Sequence, residues 1–284
     1  MAMSYSYIRK GEWLEYRGRK LPDIFPEEWV FRLEKEQGLQ QTKSAIRLRL
    51  FTERPFGFEP EYTDKLDVLY EDDFCIVVNK PPGVPVHPSE RGQSDTLANQ
   101  LAGYYGMTGQ SCFVRHIHRL DRDTSGPVLY AKNEYSQYML DAAMRRKDIG
   151  RTYVAVAKGR LQPSRGTFSW PIGKDRHHHQ RRRVSRQGQP AVTHYEVLET
   201  FRDAVWVQLV LETGRTHQIR VHLQHAGHPI VGDPLYGGTG IEGMHRQALH
   251  GIRLSFPHPW SGEKLQIEAP MYPDMRLLLA RLRK

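Results

Sequence analysis

The stretch HIHRLDRDTSG, His116 to Gly126, holds two histidines, two arginines, two aspartates and a Thr-Ser-Gly turn. Four chemistries could draw on that mixture. A metallohydrolase would take His116 and His118 as ligands with Asp121 nearby, since alternate residues of an extended chain point the same way. Arg115, Arg119 and Arg122 would then crowd the cation with positive charge. A phosphotransferase passing through an aspartyl-phosphate would use Asp121 and Asp123 with magnesium at the end of a buried strand, but the preceding FVRHIHRL is interrupted by basic residues. A structural reading pairs both aspartates with neighbouring arginines and makes Thr124-Ser125-Gly126 a plain turn. The fourth reading is covalent catalysis by one carboxylate on a sugar or a base. A carboxylate becomes a usable nucleophile when an arginine counter-charge keeps it ionised and aimed. The segment ETGRTHQIRVH supplies Arg215 and Arg220 at the start of an expected helix, where free backbone N–H groups also favour anions. Glycoside hydrolysis generally takes two carboxylates on opposite faces of the ring. A lone nucleophile suits instead a transfer that regenerates the bond.

Those residues need a frame. LDVLYEDDFCIVVNKPPGVPVHP reads as two apolar strands, 66–70 and 74–79, split by the acidic turn Glu71–Asp73 and closed by Pro81-Pro82-Gly83. A helix is expected over 95–104, a strand at PVLYAKN and a helix in EYSQYMLDAAMRRK. In the last, Tyr135, Tyr138, Met139, Ala142 and Ala143 share one apolar face at helical spacing. Further strands are expected at TYVAVAKG, THYEVLET and VWVQLVLET, then a helix in THQIRVHLQHAG entered by Thr216 and left through Gly227. ALHGIRLSF and KLQIEAP follow as strands before a short C-terminal helix. Strands that mostly succeed one another through turns predict an α+β domain with a largely antiparallel, mixed sheet. Residues 1–60 are aromatic and basic, with one helical candidate in PEEWVFRLEKEQ and no clean alternation afterwards, and read as an appendage; 61–284 read as the main domain.

The whole chain narrows the class. Its 284 residues allow one large domain with an appendage or two modest ones, either able to bury a core. Cys75 and Cys112 are too few and too isolated for a disulfide framework or a zinc knuckle, as expected in a reducing cytoplasm. No apolar run approaches the roughly 20 residues of a membrane span, and the opening MAMSYSYIRKGEW lacks the apolar stretch of a signal peptide. A cytoplasmic protein with no membrane association is the expectation. The net charge of +9 and pI near 9.5 point to a polyanionic partner. In KDRHHHQRRRVSR, Lys174, Arg176, Arg181, Arg182, Arg183 and Arg186 face one acid, so this loop-like segment carries +5 of that +9. It is either a solvated loop or a grip on phosphates, whose contacts are salt-dependent and indifferent to sequence.

HRLDRDTSG at 118–126 resembles the signature of the RluA family of pseudouridine synthases. Four further stretches agree in the family's order: VVNKPPGVPVHP, RTYVAVAKG, GQPAVTHYEVLE and GRTHQIRVHLQHAGHPIVGDPLYG, followed by LHGIRLSFPHP. The likeness spans about residues 65–270. It implies the pseudouridine synthase fold with a central catalytic cleft, and isomerisation of uridine to pseudouridine in ribosomal or transfer RNA without cofactor, metal or obligate protein partner. By the resemblance Asp121 is the nucleophile acting at C1′ of the ribose. Tyr153 stacks on the uracil and is a candidate for taking the C5 proton. Arg220 pairs with Asp121, and Arg119 fills the space the flipped base leaves. Arg215, Leu249, Lys174, Arg176, Arg181, Arg182 and Arg183 are grouped as RNA-contacting, and His118 as a residue near the RNA that buttresses the loop. The physical reason for flipping is that a stacked base is out of reach of side-chain chemistry. The plain alternatives are a core tyrosine for Tyr153 and an ion-pair partner of Asp121 or Asp123 for Arg119, while Leu249 reads first as a core leucine. Family members often begin with a compact S4 RNA-binding domain, and residues 1–60 match at most a degenerate version. A catalytically silent RNA-binding or ribosome-assembly protein with the same fold is the alternative.

Overall fold

The computed structural model describes residues 6–18, 20–53, 55–90, 92–238 and 243–284. The first five residues of the stretch read as lacking a leader lie outside them. Among the described residues no helix is long and apolar enough to cross a membrane.

The N-terminal region is more ordered than its sequence suggests. β1 (Tyr7–Lys10), β2 (Trp13–Tyr16), α1 (Glu27–Lys35), β3 (Leu39–Gln41) and β4 (Ile46–Arg49) form a four-stranded sheet, order β1-β2-β4-β3, with one helix. Leu14, Leu33, Ile46 and Leu48 fill its interior, and they are continuous with Phe74, Tyr135 and Trp260 of the main body. The strands are only three or four residues long, so they offer too little alternation to register as strands.

Two sheets build the main body. β5 (Val68–Glu71), β6 (Cys75–Lys80), α2 (Leu97–Met107), β7 (Arg115–His116) and β8 (Gly126–Ala131) give a sheet of order β5-β6-β8-β7. After α3 (Glu134–Arg145) come β9 (Gly150–Lys158), β10 (Arg165–Phe168), β11 (Ile172–Lys174), β12 (Arg182–Val184), β13 (Thr193–Thr200), β14 (Ala204–Leu211), α4 (Gln218–His225), β15 (Leu249–Pro257), β16 (Lys264–Glu268) and α5 (Pro273–Leu282). The larger sheet runs β10-β13-β14-β9-β15-β16. This is the expected α+β class. Among the described residues the strand ladders are antiparallel, and the parallel element is the bridge between Ser125 and His250.

That bridge joins the two sheets. Gly251 donates its N–H to the Ser125 carbonyl at 2.8 Å. The approach is possible because Gly126, at φ +132°, and Gly251 both lack a side chain: a Cβ on Gly126 would lie 2.6 Å from the Gly251 carbonyl oxygen. Gly251 is also the partner of Tyr153 across β15 and β9. The turn that carries Asp121 is thereby fixed against the strand that carries Tyr153.

Three local expectations change. Segment 174–186 is a loop over 175–181 carried by a short two-stranded ribbon, β11 against β12, that the sequence did not announce. Ile172 and Val184 root it in a small apolar cluster with Val221 and Tyr236, a signal hidden by the charge between them. α4 starts at Gln218, not Thr216; the residue before it, His217, sits in the left-handed region at φ 57°. On α3 the buried side chains are Tyr135, Ser136, Leu140 and Ala143. Leu140 and Ala143 face the sheet, while Tyr138 and Met139 turn to the N-terminal core, so the helix has two partly buried sides.

Candidate active site

Asp121 lies in the turn after β7, with 24% of its side chain exposed. Its Oδ2 accepts Nη1–H of Arg220 at 3.0 Å. Arg220 is in the first turn of α4, and its Nε and Nη2 donate to the two oxygens of Asp233 at 2.7 and 2.9 Å. Asp233 is fully buried, and its Oδ1 also accepts the backbone N–H groups of Leu235 and Tyr236. The Tyr236 ring lies 5.0 Å from the guanidinium carbon. Burial alone would lower the Arg220 pKa, but the hydrogen bonds to Asp233 and the charges of both carboxylates outweigh it and raise it. The guanidinium is therefore a permanent, oriented cation beside Asp121.

The turn itself is gripped from both sides by buried cations. Lys80, wholly buried, donates to the carbonyls of Pro81, Val84 and Arg122 at 2.7–2.9 Å. Burial pulls its pKa down to about 7 against the opposing charges of Asp121 and Asp123. Arg246 donates Nη1–H to the Asp123 carbonyl at 3.0 Å and is itself held by Asp274 through two hydrogen bonds. His217 brings Nε2 to 3.9 Å from Asp121 Oδ2, and its Nδ1 pairs with the Tyr236 hydroxyl at 2.9 Å. Burial lowers the His217 pKa despite the neighbouring Asp121 charge. A non-glycine residue in left-handed backbone costs about 1–2 kcal/mol, and this one is held there by contacts inside the site.

Asp121, Tyr153, Arg220, Arg119, Arg215 and Leu249 line one cleft of about 60 Å³. Tyr153 is 6% exposed and Leu249 4%, so both are core residues whose edges reach the cleft. The Tyr153 hydroxyl makes no hydrogen bond among the described residues. Burial raises its pKa, Arg151 opposes this and Asp121 adds to it, so a neutral phenol faces the cleft. Arg119 is exposed and forms no ion pair with Asp121 or Asp123. An outer groove of about 500 Å³ shares Arg119, Leu120, Asp121, Gly214 and Arg215 with the cleft. His118 only edges that groove: its Nε2 accepts the Leu129 N–H at 3.3 Å, tying the loop to β8, and burial drives its pKa to about 3. His116 and His118 therefore meet different surroundings, one stacking on His87 and the other buried beneath the loop. Among the described residues no group of three His, Cys, Asp or Glu side chains is placed to hold a metal.

The basic ribbon contributes unequally. Lys174 and Arg182 line a cavity of about 330 Å³ with Arg215 and Thr216. Arg181 turns toward Tyr236, its guanidinium carbon 5.4 Å from the ring, and Arg182 donates its backbone N–H to the Tyr236 hydroxyl. Arg176 and Arg183 are exposed on the ribbon. Asp233, Tyr236, Lys80, Arg246 and His217 carry no assignment at sequence level. Asp233 and Tyr236 lie within GDPLYG and Lys80 within NKPPG, stretches whose composition alone gives no hint of the partners they meet.

The family described as RNA pseudouridylate synthase matches residues 74–225. A Bacillus subtilis protein named "Uncharacterized RNA pseudouridine synthase YhcT" is 48% identical over 221 residues, 77% of this chain and 72% of that protein. "Ribosomal large subunit pseudouridine synthase D" of Escherichia coli is 38% identical over 262 residues, 88% of this chain and 79% of its own length. Among solved structures, human RNA Pseudouridylate Synthase Domain Containing 1 superposes with a TM-score of 0.60 at 28% identity, covering 80% of this chain and 98% of that one.

Proposed function

The chain belongs to the RNA pseudouridylate synthase family and is an RNA pseudouridine synthase, and we propose that it isomerises specific uridines of ribosomal or transfer RNA in the cytoplasm, with Asp121 as nucleophile on a flipped-out nucleotide. Relatives named as large-subunit ribosomal enzymes favour ribosomal RNA.

The product is an isomer of the substrate. The C1′–N1 bond breaks, a C1′–C5 bond forms, C5 loses a proton and N1 gains one, so neither oxidant nor water is consumed. One carboxylate, one surface to hold the detached uracil and one group to receive the C5 proton suffice. Asp121 attacks C1′ as the C1′–N1 bond breaks and departs as the C1′–C5 bond forms, Arg220 holds it in position, and Tyr153 carries the uracil, its neutral hydroxyl giving its own proton toward N1 as it takes the one from C5. Leu249 packs beside the base. At about 60 Å³ the cleft is far smaller than the outer groove of about 500 Å³, so it takes the edge of a pyrimidine while the ribose and phosphates lie in the outer groove. Arg119 enters the vacated stack. Arg215, Lys174 and Arg182 contact phosphates along the continuation of the groove, and Arg176, Arg181 and Arg183 add to the field that draws RNA in.

The reading is carried by the Asp121–Arg220 contact at 3.0 Å within a cleft that also holds Tyr153. A silent RNA-binding protein has no physical use for a partly exposed carboxylate held by a buried arginine on the floor of a basic groove. RNA from cells lacking the protein should lose pseudouridine at defined positions. Wild-type protein should restore it, and Asp121→Asn should bind RNA but restore none. Restoration by Asp121→Asn would remove the nucleophile from its role.

A further inference from the structure

Next to the outer groove lies a further cavity of about 950 Å³, and the two share His87, Ser89, Gln93 and His116. At that shared wall the rings of His87 and His116 stack, centroids 4.3 Å apart and planes 29° from parallel. Neither ring makes a hydrogen bond among the described residues, and both are partly exposed. Arg115 lines the same cavity, and Arg119 lines the adjoining groove.

We propose that the His87–His116 pair is a stacking platform for a nucleobase of unpaired RNA next to the target uridine, with the 950 Å³ cavity taking that nucleotide. The proposal rests on the reading of the Asp121 cleft as the uridine site. His116 is five residues from Asp121, under about 18 Å even in a fully extended chain. The occupant is therefore continuous with the nucleotide in the cleft. Two stacked imidazoles present flat π-surface, and every base can stack on it. They are also uncharged at neutral pH: burial and the Arg119 charge lower His87, while burial, His87, Arg119 and Arg115 push His116 to about 4. Such rings do not clamp phosphates. That task falls to Arg115 and Arg119, while the free ring nitrogens, one donor and one acceptor on each neutral ring, meet base edges. Glu59 and Glu90 on the same cavity repel phosphate and accept from exocyclic amino groups, which favours adenine, guanine or cytosine.

The test uses the full chain with a labelled oligoadenylate and an abasic ribose-phosphate oligomer of equal length, bound in fluorescence anisotropy titrations. Wild-type protein should prefer the oligoadenylate. His116→Ala should bind it roughly tenfold more weakly with unchanged affinity for the abasic oligomer, and His116→Phe, which keeps a flat ring, should retain the preference. In histidine-selective proton–carbon spectra, the Hε1 signals of His87 and His116 should move upfield on addition of oligoadenylate. An undiminished preference in His116→Ala, or unmoved signals, overturns the platform. Pseudouridine formation is scored separately on cellular RNA: product with no base-dependent contribution from His116 sinks the platform alone, whereas absence of product sinks the enzyme reading.

Discussion

Asp121 meets its arginine through one oxygen only. Oδ2 accepts from Arg220, and Oδ1 accepts no hydrogen bond among the described residues, as the proposed attack requires. Arg220 can hold this pose because its planar fork is fixed at the other end by Asp233. Asp233→Asn should therefore act at a distance from the substrate. One acceptor becomes a donor facing the guanidinium, and a buried ion pair broken on one side typically costs about 3–5 kcal/mol. We expect lower thermal stability and at least a tenfold fall in kcat with little change in KM for RNA, because no RNA contact is removed. Unchanged kcat would mean that Arg220 is aimed by other contacts. That Arg220 meets Asp121 was legible in the sequence, since a lone carboxylate needs a counter-charge from elsewhere in the chain, and that Tyr153 lies in the same cleft follows the family resemblance. Asp233 was not legible, although it is only thirteen residues from Arg220. A buried carboxylate pairing across a turn leaves no periodicity and no charge run. Lys80 and Arg246 were hidden because they grip the Asp121 turn through backbone carbonyls, which any sequence supplies.

Elements position these side chains through one close approach. Where β8 begins and β15 passes, Gly126 and Gly251 let two backbones meet, and Asp121 and Tyr153 come from opposite sides of that contact. Gly126→Ala should both strain φ and drive a Cβ into backbone that cannot yield without moving the strand. We expect a loss of about 2 kcal/mol or more in denaturant unfolding and a disproportionate fall in kcat. Gly109→Ala offers the contrast: φ is also positive, at +67°, but nothing lies within 4 Å, so it should cost about 1 kcal/mol and leave kcat alone. Equal kcat in both variants would show that the sheet junction does not set the site. The longer strands of the main body were legible because runs of apolar or alternating residues are bounded by turn residues, whereas the short β7 and the Gly-containing β10 were not expected. The N-terminal strands and the β11–β12 ribbon were not, since their burial depends on residues far along the chain: Trp260 and Tyr135 for the first, Tyr236 and Val221 for the second. The early start expected for α4 fails on the turn before it, where the Gln218 N–H goes to the Arg215 carbonyl and no side chain caps the helix, while Gln218 Oε1 accepts the Arg215 N–H.

Across the whole molecule, the N-terminal sheet and the main body share one aromatic seam. Phe74 stacks on Trp260 and Phe25 on Tyr135, and Arg9 and Tyr7 hold Asp73 beside it. Titratable groups are built into the same interior, and most of them favour neutral or alkaline conditions. Burial lowers His118 to about 3, and burial first, with nearby arginines, lowers His116 and His250 to about 4. An unfolded histidine titrates near 6.5. Between that pH and about 4 the unfolded chain therefore binds protons that the folded chain refuses, and stability falls with pH throughout the window. Asp72 and Asp274 act in the same direction: burial would raise them, but hydrogen bonds from His258 and Arg246 hold each below its ordinary value. Each of the three rings contributes up to about 3 kcal/mol over the window. The melting temperature should thus decline steadily from pH 6.5 to pH 4. A carboxylate contribution alone would give a slope too, so the discriminating variant is His118→Asn. It should be less stable than wild type at pH 8, through loss of the bond to the Leu129 N–H, and the gap between the two should narrow as pH falls, because the variant has no ring left to protonate on unfolding. A gap that stays constant from pH 8 to pH 4 would mean that His118 accepts its proton inside the fold.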